Sequence, residues 1–291
     1  MEVVFLLEQL VNGLVLGGYY LLLALGLSLI FSVGGIVNLA HGAFYALGAY
    51  VSLEIGRRLG FGAGVALSPV VVGLLGIAFE RFLLRRFYSA DPVLSLLVTF
   101  GLAMLAEQAI RMAWGSAPLP STMPPQFKGS VLLGDFLFSR YRLLLLAVVL
   151  ALLSAVWLLL HKTAFGRVVR AGVQRPDMVA VLGIRLQPYM TAIVVLGVAS
   201  AALAGALFGP ITIVQPAMGT EVMTAAFVVV VIGGLGSFWG VVLAAALVGV
   251  VRGATIYFLP AAAEASMYVL MFLVLLLRPR GLLGERIERF E

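Results

Sequence analysis

The sequence contains no cysteine. Disulfides and thiolate metal sites are therefore excluded, and the redox compartment cannot be read from it. Charge is also scarce: 11% of residues are Asp, Glu, Lys or Arg, against about 25% in ordinary soluble domains. Hydrophobic residues make up 63%, and the mean hydropathy is +1.14. This balance excludes a soluble globular domain and indicates an all-α, polytopic membrane protein. His41 and His161 are the only histidines, too few for a His-based metal site. The two lysines, Lys128 and Lys162, fit no G-x-x-x-x-G-K-[ST] phosphate loop, so the chain is not expected to hydrolyse ATP through one. No paired acids stand at helical spacing within the apolar runs, so neither enzyme chemistry nor a bound cofactor is expected. The start, Met1-Glu2, lacks a positive n-region, so the first apolar run is expected to insert and stay rather than be cleaved.

What is abundant is apolar sequence and glycine. The 33 glycines suit close approach of membrane helices. About nine apolar runs are long enough to cross some 30 Å of hydrocarbon: roughly 10–33, 43–59, 65–84, 92–114, 143–160, 189–208, 221–238, 240–259 and 266–277. The seventh and eighth touch through GGLGSFWG (Gly233 to Gly240), where one of the two can be a partial, re-entrant element. The expectation is one transmembrane domain over 1–291 with about eight to nine transmembrane helices. Gly34, Gly35 and Gly42 in the first half echo Gly233, Gly234 and Gly240 in the second; such paired breaks often mark the substrate pathway of a transporter, though two short glycine motifs also match by chance in a chain this rich in glycine.

The net charge is +6, but its distribution speaks of topology, not of nucleic acid. The richest stretch is His161 to Pro188, with Lys162, Arg167, Arg170, Arg175 and Arg185 against the single acid Asp177. Val168, Val169, Ala171 and Val173 interleave with the arginines as on a one-sided helix. Pro176 is placed to open a second short helix and Gly183 to close it. Such a loop is either a lipid-surface anchor or a docking platform for a cytoplasmic protein, and the segment alone leaves both open. If it is cytoplasmic, so are Arg81, Arg85 and Arg86 and the tail 278–291 with Arg278, Arg280, Arg286 and Arg289. Twelve of the 19 basic residues then lie inside and the N-terminus outside; Arg57, Arg58, Arg140 and Arg142 are the exceptions.

Polar groups at membrane depth need a neighbour, a cavity or water. Asn38, His41 and Gly42 sit in an irregular stretch after the first run, either as a gate on a pathway or as a satisfied structural break. Glu107 and Arg111 are four apart on the fourth run and can pair. Glu80 adjoins Arg81 at a span end and reads as interfacial. Arg252 is placed to snorkel outward. Gly233, Gly234 and Gly236 join the candidate pathway residues through the glycine break.

The run from Asn12 to Tyr50 resembles the N-terminal signature of the branched-chain amino acid ABC transporter permeases of the LivH type. Asn12, Gly13 and Gly17 fit its early N-G-x-x-x-G; Gly34, Asn38, Ala40, His41 and Gly42 fit G-x-x-x-I-N-F-A-H-G, with Val37 and Leu39 as departures. The basic segment is similar to that family's coupling segment at Gly166, Arg167, Arg170, Ala171, Ala180, Gly183 and Ile184, with Asp177 and Leu182 on the same stretch. It departs at Gln174-Arg175-Pro176-Asp177, where relatives carry no proline. GGLGSFWG and Arg278 to Gly284 fit the end of the pattern. The resemblance implies a multi-pass subunit of a prokaryotic plasma membrane that forms a translocation pathway. It also implies partners: cytoplasmic ATPases that use the ATP, a second related permease, an extracytoplasmic solute-binding protein, and membrane lipid. Related systems carry urea, short amides or other amino acids, and an ATP-independent secondary transporter is the rival reading.

Overall fold

The computed structural model describes residues 2–88, 91–133 and 136–284. Arg286 and Arg289 of the expected tail fall outside these residues, as do the side chains of Glu2 and Glu8. Eleven α-helices are described: α1 (Glu2–Gly34), α2 (His41–Leu59), α3 (Phe61–Phe82), α4 (Pro92–Trp114), α5 (Arg140–Lys162), α6 (Ala164–Gln174), α7 (Pro176–Val181), α8 (Gln187–Phe208), α9 (Met218–Gly233), α10 (Phe238–Phe258) and α11 (Ala263–Leu277). Between α4 and α5 the chain forms an antiparallel hairpin, β1 (Ser130–Leu133) on β2 (Phe136–Ser139), which the apolar pattern does not announce.

Seven of the described helices are long and apolar enough to cross a membrane. α2, which ends on Glu54, Arg57 and Arg58, and α9, only 16 residues long, are not among them. With these two added, the helices account for all nine apolar runs. The seventh run stops short of its expected end, because Gly234 and Gly236 take left-handed backbone (φ 97° and 82°) that an α-helix cannot continue.

The bundle has two distinct ends. At one, Tyr88 lies against Gly34, Arg85 reaches Thr191, Gly236 meets Ser32, and Gly234 meets Gly284. This end gathers Arg81, Arg85, Arg86, the 161–188 segment and the described tail. At the other, Leu119 N–H donates to the Val214 carbonyl at 2.8 Å and Arg140 N–H to that of Gly129 at 3.2 Å. There, 121–126 closes over the α2–α3 turn. The start of α1 belongs to this hairpin end, since Arg142 donates to Asn12.

Close backbone contacts reveal an internal two-fold relation. α1 and α8 run in opposite directions and cross at Gly26 and Gly197, each of which leaves no room for a Cβ beside the other's carbonyl. α2 and α9 meet in the same reciprocal way at Gly42 and Gly219. α1 packs along α10 through Gly13, Gly17, Gly249 and Gly253, as α8 packs along α3. The unit α1–α4 thus corresponds to α8–α11 turned over, an inverted repeat of the transporter kind. The repeat is real but in a different register from the glycine echo: the break 35–40 corresponds to 209–217, not to 233–240. The echo misleads because a glycine pair closes a helix on left-handed backbone at both places, Gly35 (φ 64°) after α1 and Gly234 (φ 97°) after α9.

The buried core follows these crossings, running along α1, the first half of α2, α8 and α9. Arg252 does not snorkel; its Nη1 donates to the Tyr20 hydroxyl, with Met267 Sδ 3.6 Å away and the Tyr20 ring under its guanidinium.

Candidate functional site

Leaving α1 at Gly34, the chain turns back into the bundle. By His41 it has returned to the level of Leu23, whose carbonyl accepts from His41 Nε2 at 3.1 Å. Leu23 is eleven residues, roughly 16 Å, back from Gly34 along the helix, so α2 starts at depth. The irregular backbone there is satisfied locally, as it must be inside a membrane. Asn38 Oδ1 accepts from Ala40 N–H at 3.1 Å, and Thr99 Oγ1 on α4 accepts from Leu39 N–H at 3.2 Å. Asn38 and His41 are fully buried. Because a carbonyl only accepts, His41 Nε2 carries the proton. Its Nδ1 and Asn38 Nδ2 have no partner among the described residues.

In front of this break lies a groove of ≈ 390 Å³ between α2, α4 and α9, within the range of small-ligand sites. Leu39, Ala43, Phe100, Met104, Met223 and Phe227 give it an apolar wall, and Gly42 and Gly219, at the two helix starts, form its inner side. One charged pair marks it. Glu107 Oε1 accepts from Arg111 Nη2 at 2.7 Å, and Thr220 Oγ1 on α9 donates to Glu107 Oε2 at 3.2 Å. The i, i+4 pairing expected from sequence is present and is tied across to the first turn of α9.

Of the candidate pathway residues, Gly42 and Glu107 line the groove, and Asn38 and His41 stand behind it. Gly233, Gly234 and Gly236 are not brought to it. They lie at the far end of α9, where Gly233 abuts Gly240, and Leu282 and Leu283 N–H donate to the carbonyls of Ile232 and Gly233. Nothing in the pattern singles out Thr99, Thr220 or Met223: lone polar or apolar residues in apolar runs become legible only when three helices converge.

The 161–188 segment folds as two helices, as its pattern indicates. Thr163 caps α6 by accepting from Gly166 N–H at 3.2 Å, and Gly166 fits against the Leu160 carbonyl where no Cβ could sit. Arg170 Nη1 donates to that same carbonyl at 2.8 Å, a cation on the C-terminal end of α5. Val169 is buried with Leu29, Val156, Leu160 and Ile193, anchoring α6 to the bundle. α7 begins at Pro176 and closes on Gly183 (φ 76°): Gly183 N–H donates to Ala180 at 2.9 Å and Ile184 N–H to Val179 at 3.3 Å. This is the 5→2 and 6→1 bonding of a Schellman cap. Only Val179 of α7 turns inward. Met178, Val181 and Leu182 are 57%, 85% and 75% exposed. Arg167, Ala171, Asp177, Ala180 and Gly183 are exposed around them and Ile184 is half-buried.

Residues 9–277 match the family described as the branched-chain amino acid transport system permease component. The chain belongs to this family. Among its relatives, the high-affinity branched-chain amino acid transport system permease protein BraD of Pseudomonas aeruginosa is 28% identical, over 98% of this chain and 97% of that one. LivH of Escherichia coli, a permease protein of the same description, is 27% identical over the same shares. LivM of Salmonella typhimurium, also so described, is 30% identical over 91% of this chain and 67% of its own. The permease is thus a multi-pass membrane protein of a transport family.

Proposed function

We propose that this chain is the membrane permease subunit of an importer for branched-chain amino acids, driven by a separate ATPase that docks on the 161–188 loop. The observation that carries the reading is α7: a short, capped helix showing Met178, Val181 and Leu182 outward beside Arg175, Asp177 and Arg185. Apolar side chains this exposed, ringed by charge and at the end of a membrane bundle, suit a partner's groove. A bare lipid anchor would instead turn them toward the membrane. The chain carries no phosphate loop of its own, so the partner supplies ATP and this chain binds no cofactor. The coupling residues are then Gly166, Arg167, Arg170, Ala171, Asp177, Ala180, Leu182, Gly183 and Ile184.

The groove between α2, α4 and α9 is the proposed length of pathway, with Glu107 as its polar mark and apolar walls that suit branched side chains. Asn38, His41 and Gly42 form its gate. α4 shows Val93, Leu94, Leu97, Phe100, Met104 and Leu105 outward. The LivH and LivM names among the relatives support a second, related permease as the partner on such a face. The end bearing Arg81, Arg85, Arg86, the loop and Arg280 is the cytoplasmic one, by the excess of basic residues in its short connections. The N-terminus and the hairpin then face outward, toward a solute-binding protein. ATP-dependent leucine uptake into vesicles holding all subunits tests the reading. Assembled subunits that move no leucine would refute the substrate, and uptake by this chain alone would favour a secondary transporter.

A further inference from the structure

Glu80 stands at a span end beside Arg81, as expected, but its side chain does not face outward. Glu80, near the end of α3, is fully buried and takes hydrogen bonds from three directions. Arg85 donates to it through Nε at 3.3 Å and Nη2 at 3.1 Å, Tyr88 through its hydroxyl at 3.3 Å, and Thr191 through Oγ1 at 2.8 Å. Arg85 Nη2 also reaches Thr191 Oγ1 at 3.2 Å. A buried carboxylate must be paired and fully hydrogen-bonded to persist, and these donors do it. Burial first, and then the neighbouring carboxylate, hold the Tyr88 phenol well above its ordinary pKa, so it remains a donor at any physiological pH.

The partners define what is fastened. Thr191 stands four residues after Gln187, where α8 leaves the basic loop. Arg85 belongs to the helical turn Leu84–Phe87 that ends α3. The Tyr88 ring packs on Gly34 at the end of α1, where a Cβ would come within 2.9 Å of it. One carboxylate therefore joins the base of α8, the end of α3 and, through Tyr88, the end of α1. The loop also touches α1 directly, through Val169 on Leu29 and Val33, but past α6 it stands off. A cleft of ≈ 980 Å³ runs between Phe31–Gly35 and Tyr88 on one side and Gly172–Met178 on the other. Toward α5 the loop is braced by Gly166 and Arg170 on the Leu160 carbonyl; toward α8 the route is local, with Gly172 on Leu186, Phe165 on Tyr189, and Thr191 one turn later.

We propose that Glu80, with Thr191 as its contact on α8, is the positioning residue through which movement of the 161–188 loop is passed to α3 and α1. The inference rests on the reading of that loop as an ATPase docking site. If the loop is pushed, the base of α8 moves with it, because α8 continues the loop and packs on it through Leu186 and Tyr189. The Glu80 cluster obliges α3 and α1 to move with it, where an ordinary apolar contact would let the helices slide.

The test uses the complete transporter, with its ATPase, partner permease and binding protein, in proteoliposomes, and reads ATP hydrolysed per leucine taken up. Thr191→Val removes the hydroxyl at equal volume and leaves the Glu80–Arg85 pair; Thr191→Ser keeps the hydroxyl; Glu80→Gln removes the charge. With subunits co-purifying as in the native complex, Thr191→Val is expected to raise the ratio about fivefold, the change one hydrogen bond of ordinary net strength implies. Glu80→Gln should raise it at least as much, and Thr191→Ser should restore it. A ratio within about twofold of native in Thr191→Val, well below that expectation, would overturn the proposal, as would Thr191→Ser behaving like Thr191→Val. Should Glu80→Gln fail to assemble, the Thr191 pair decides alone. A native complex that hydrolyses ATP without moving leucine would instead refute the parent reading, so the two failures are distinct.

Discussion

Gly42 and Gly219 press backbone against backbone: a Cβ on either would overlap the carbonyl group of the other. The contact joins the first turns of α2 and α9, the two helices that start inside the bundle, and lies at the centre of the inverted repeat. Nothing can rotate away, since the obstacle is main chain on both sides. Gly42→Ala and Gly219→Ala should therefore each lose about 1–3 kcal/mol, the usual cost of overpacking, read as a fall in the melting temperature of the purified permease in detergent. Gly101→Ala on α4, with nothing within 4 Å, is the control and should melt at or slightly above the native value. Native melting of Gly42→Ala would show that the two helix starts separate freely.

The cap of α7 provides a second test. Gly183 has open space around it but a φ of 76°, so the objection to a side chain there is conformational rather than steric. Gly183→Val should cost about 1–3 kcal/mol of local strain, unwind α7 and weaken co-purification with the ATPase. Gly183→Asn, which tolerates left-handed backbone, should retain it. Arg170→Glu is a less clean probe than the sequence suggests, because Arg170 also braces the Leu160 carbonyl; Arg167→Glu, exposed, isolates the surface charge. Docking unchanged in Gly183→Val and Arg167→Glu would reduce the loop to a membrane anchor.

Much of this fold is legible in the sequence, for reasons that also explain what is not. Apolar run length locates the spans, since a helix that crosses hydrocarbon has little freedom in composition. Pro176 and Gly183 bound α7 because each imposes a specific backbone state. The Glu107–Arg111 pair follows from helical spacing alone. What the sequence hides is tertiary. Glu80 sits beside Arg81 in the chain but pairs with Arg85, since a helical turn after α3 folds that guanidinium back. The repeat register hides because it is written in single glycines at crossings, Gly26 on Gly197 and Gly42 on Gly219, not in a shared motif. That α2 starts at depth is invisible too, as length and hydropathy report how far a helix reaches but not where it begins.

Among the described residues Glu107 is the one carboxylate on the wall of the groove, and its removal should separate folding from transport. Its pair with Arg111 is part-exposed, with 25% and 36% of the side chains accessible; such pairs contribute about 0–1 kcal/mol. Glu107→Gln should therefore fold and assemble normally. It should raise the leucine concentration for half-maximal uptake several-fold, because Arg111 and Thr220 lose the group that orients them. Thr220→Val should do the same more weakly. Uptake kinetics unchanged in both would remove the groove from the pathway.

The absence of cysteine makes the orientation directly measurable. Asp177 and Arg280 are exposed at the basic end, and Arg58 and Thr122 at the hairpin end. Each can be changed to Cys without a native thiol to confuse the result. In intact cells, a membrane-impermeant maleimide should label Arg58→Cys and Thr122→Cys and spare Asp177→Cys and Arg280→Cys; inverted vesicles should reverse the pattern. The expectation follows from the crowding of Arg81, Arg85, Arg86, Arg167, Arg170, Arg175 and Arg185 at one end, since short basic connections stay on the side of synthesis. The opposing arginines, Arg57, Arg58, Arg140 and Arg142, are four against these seven, and the rule counts basic residues. Labelling of Asp177→Cys in intact cells would put the loop outside, beyond reach of any ATP-driven partner, and the coupling scheme would fall with it.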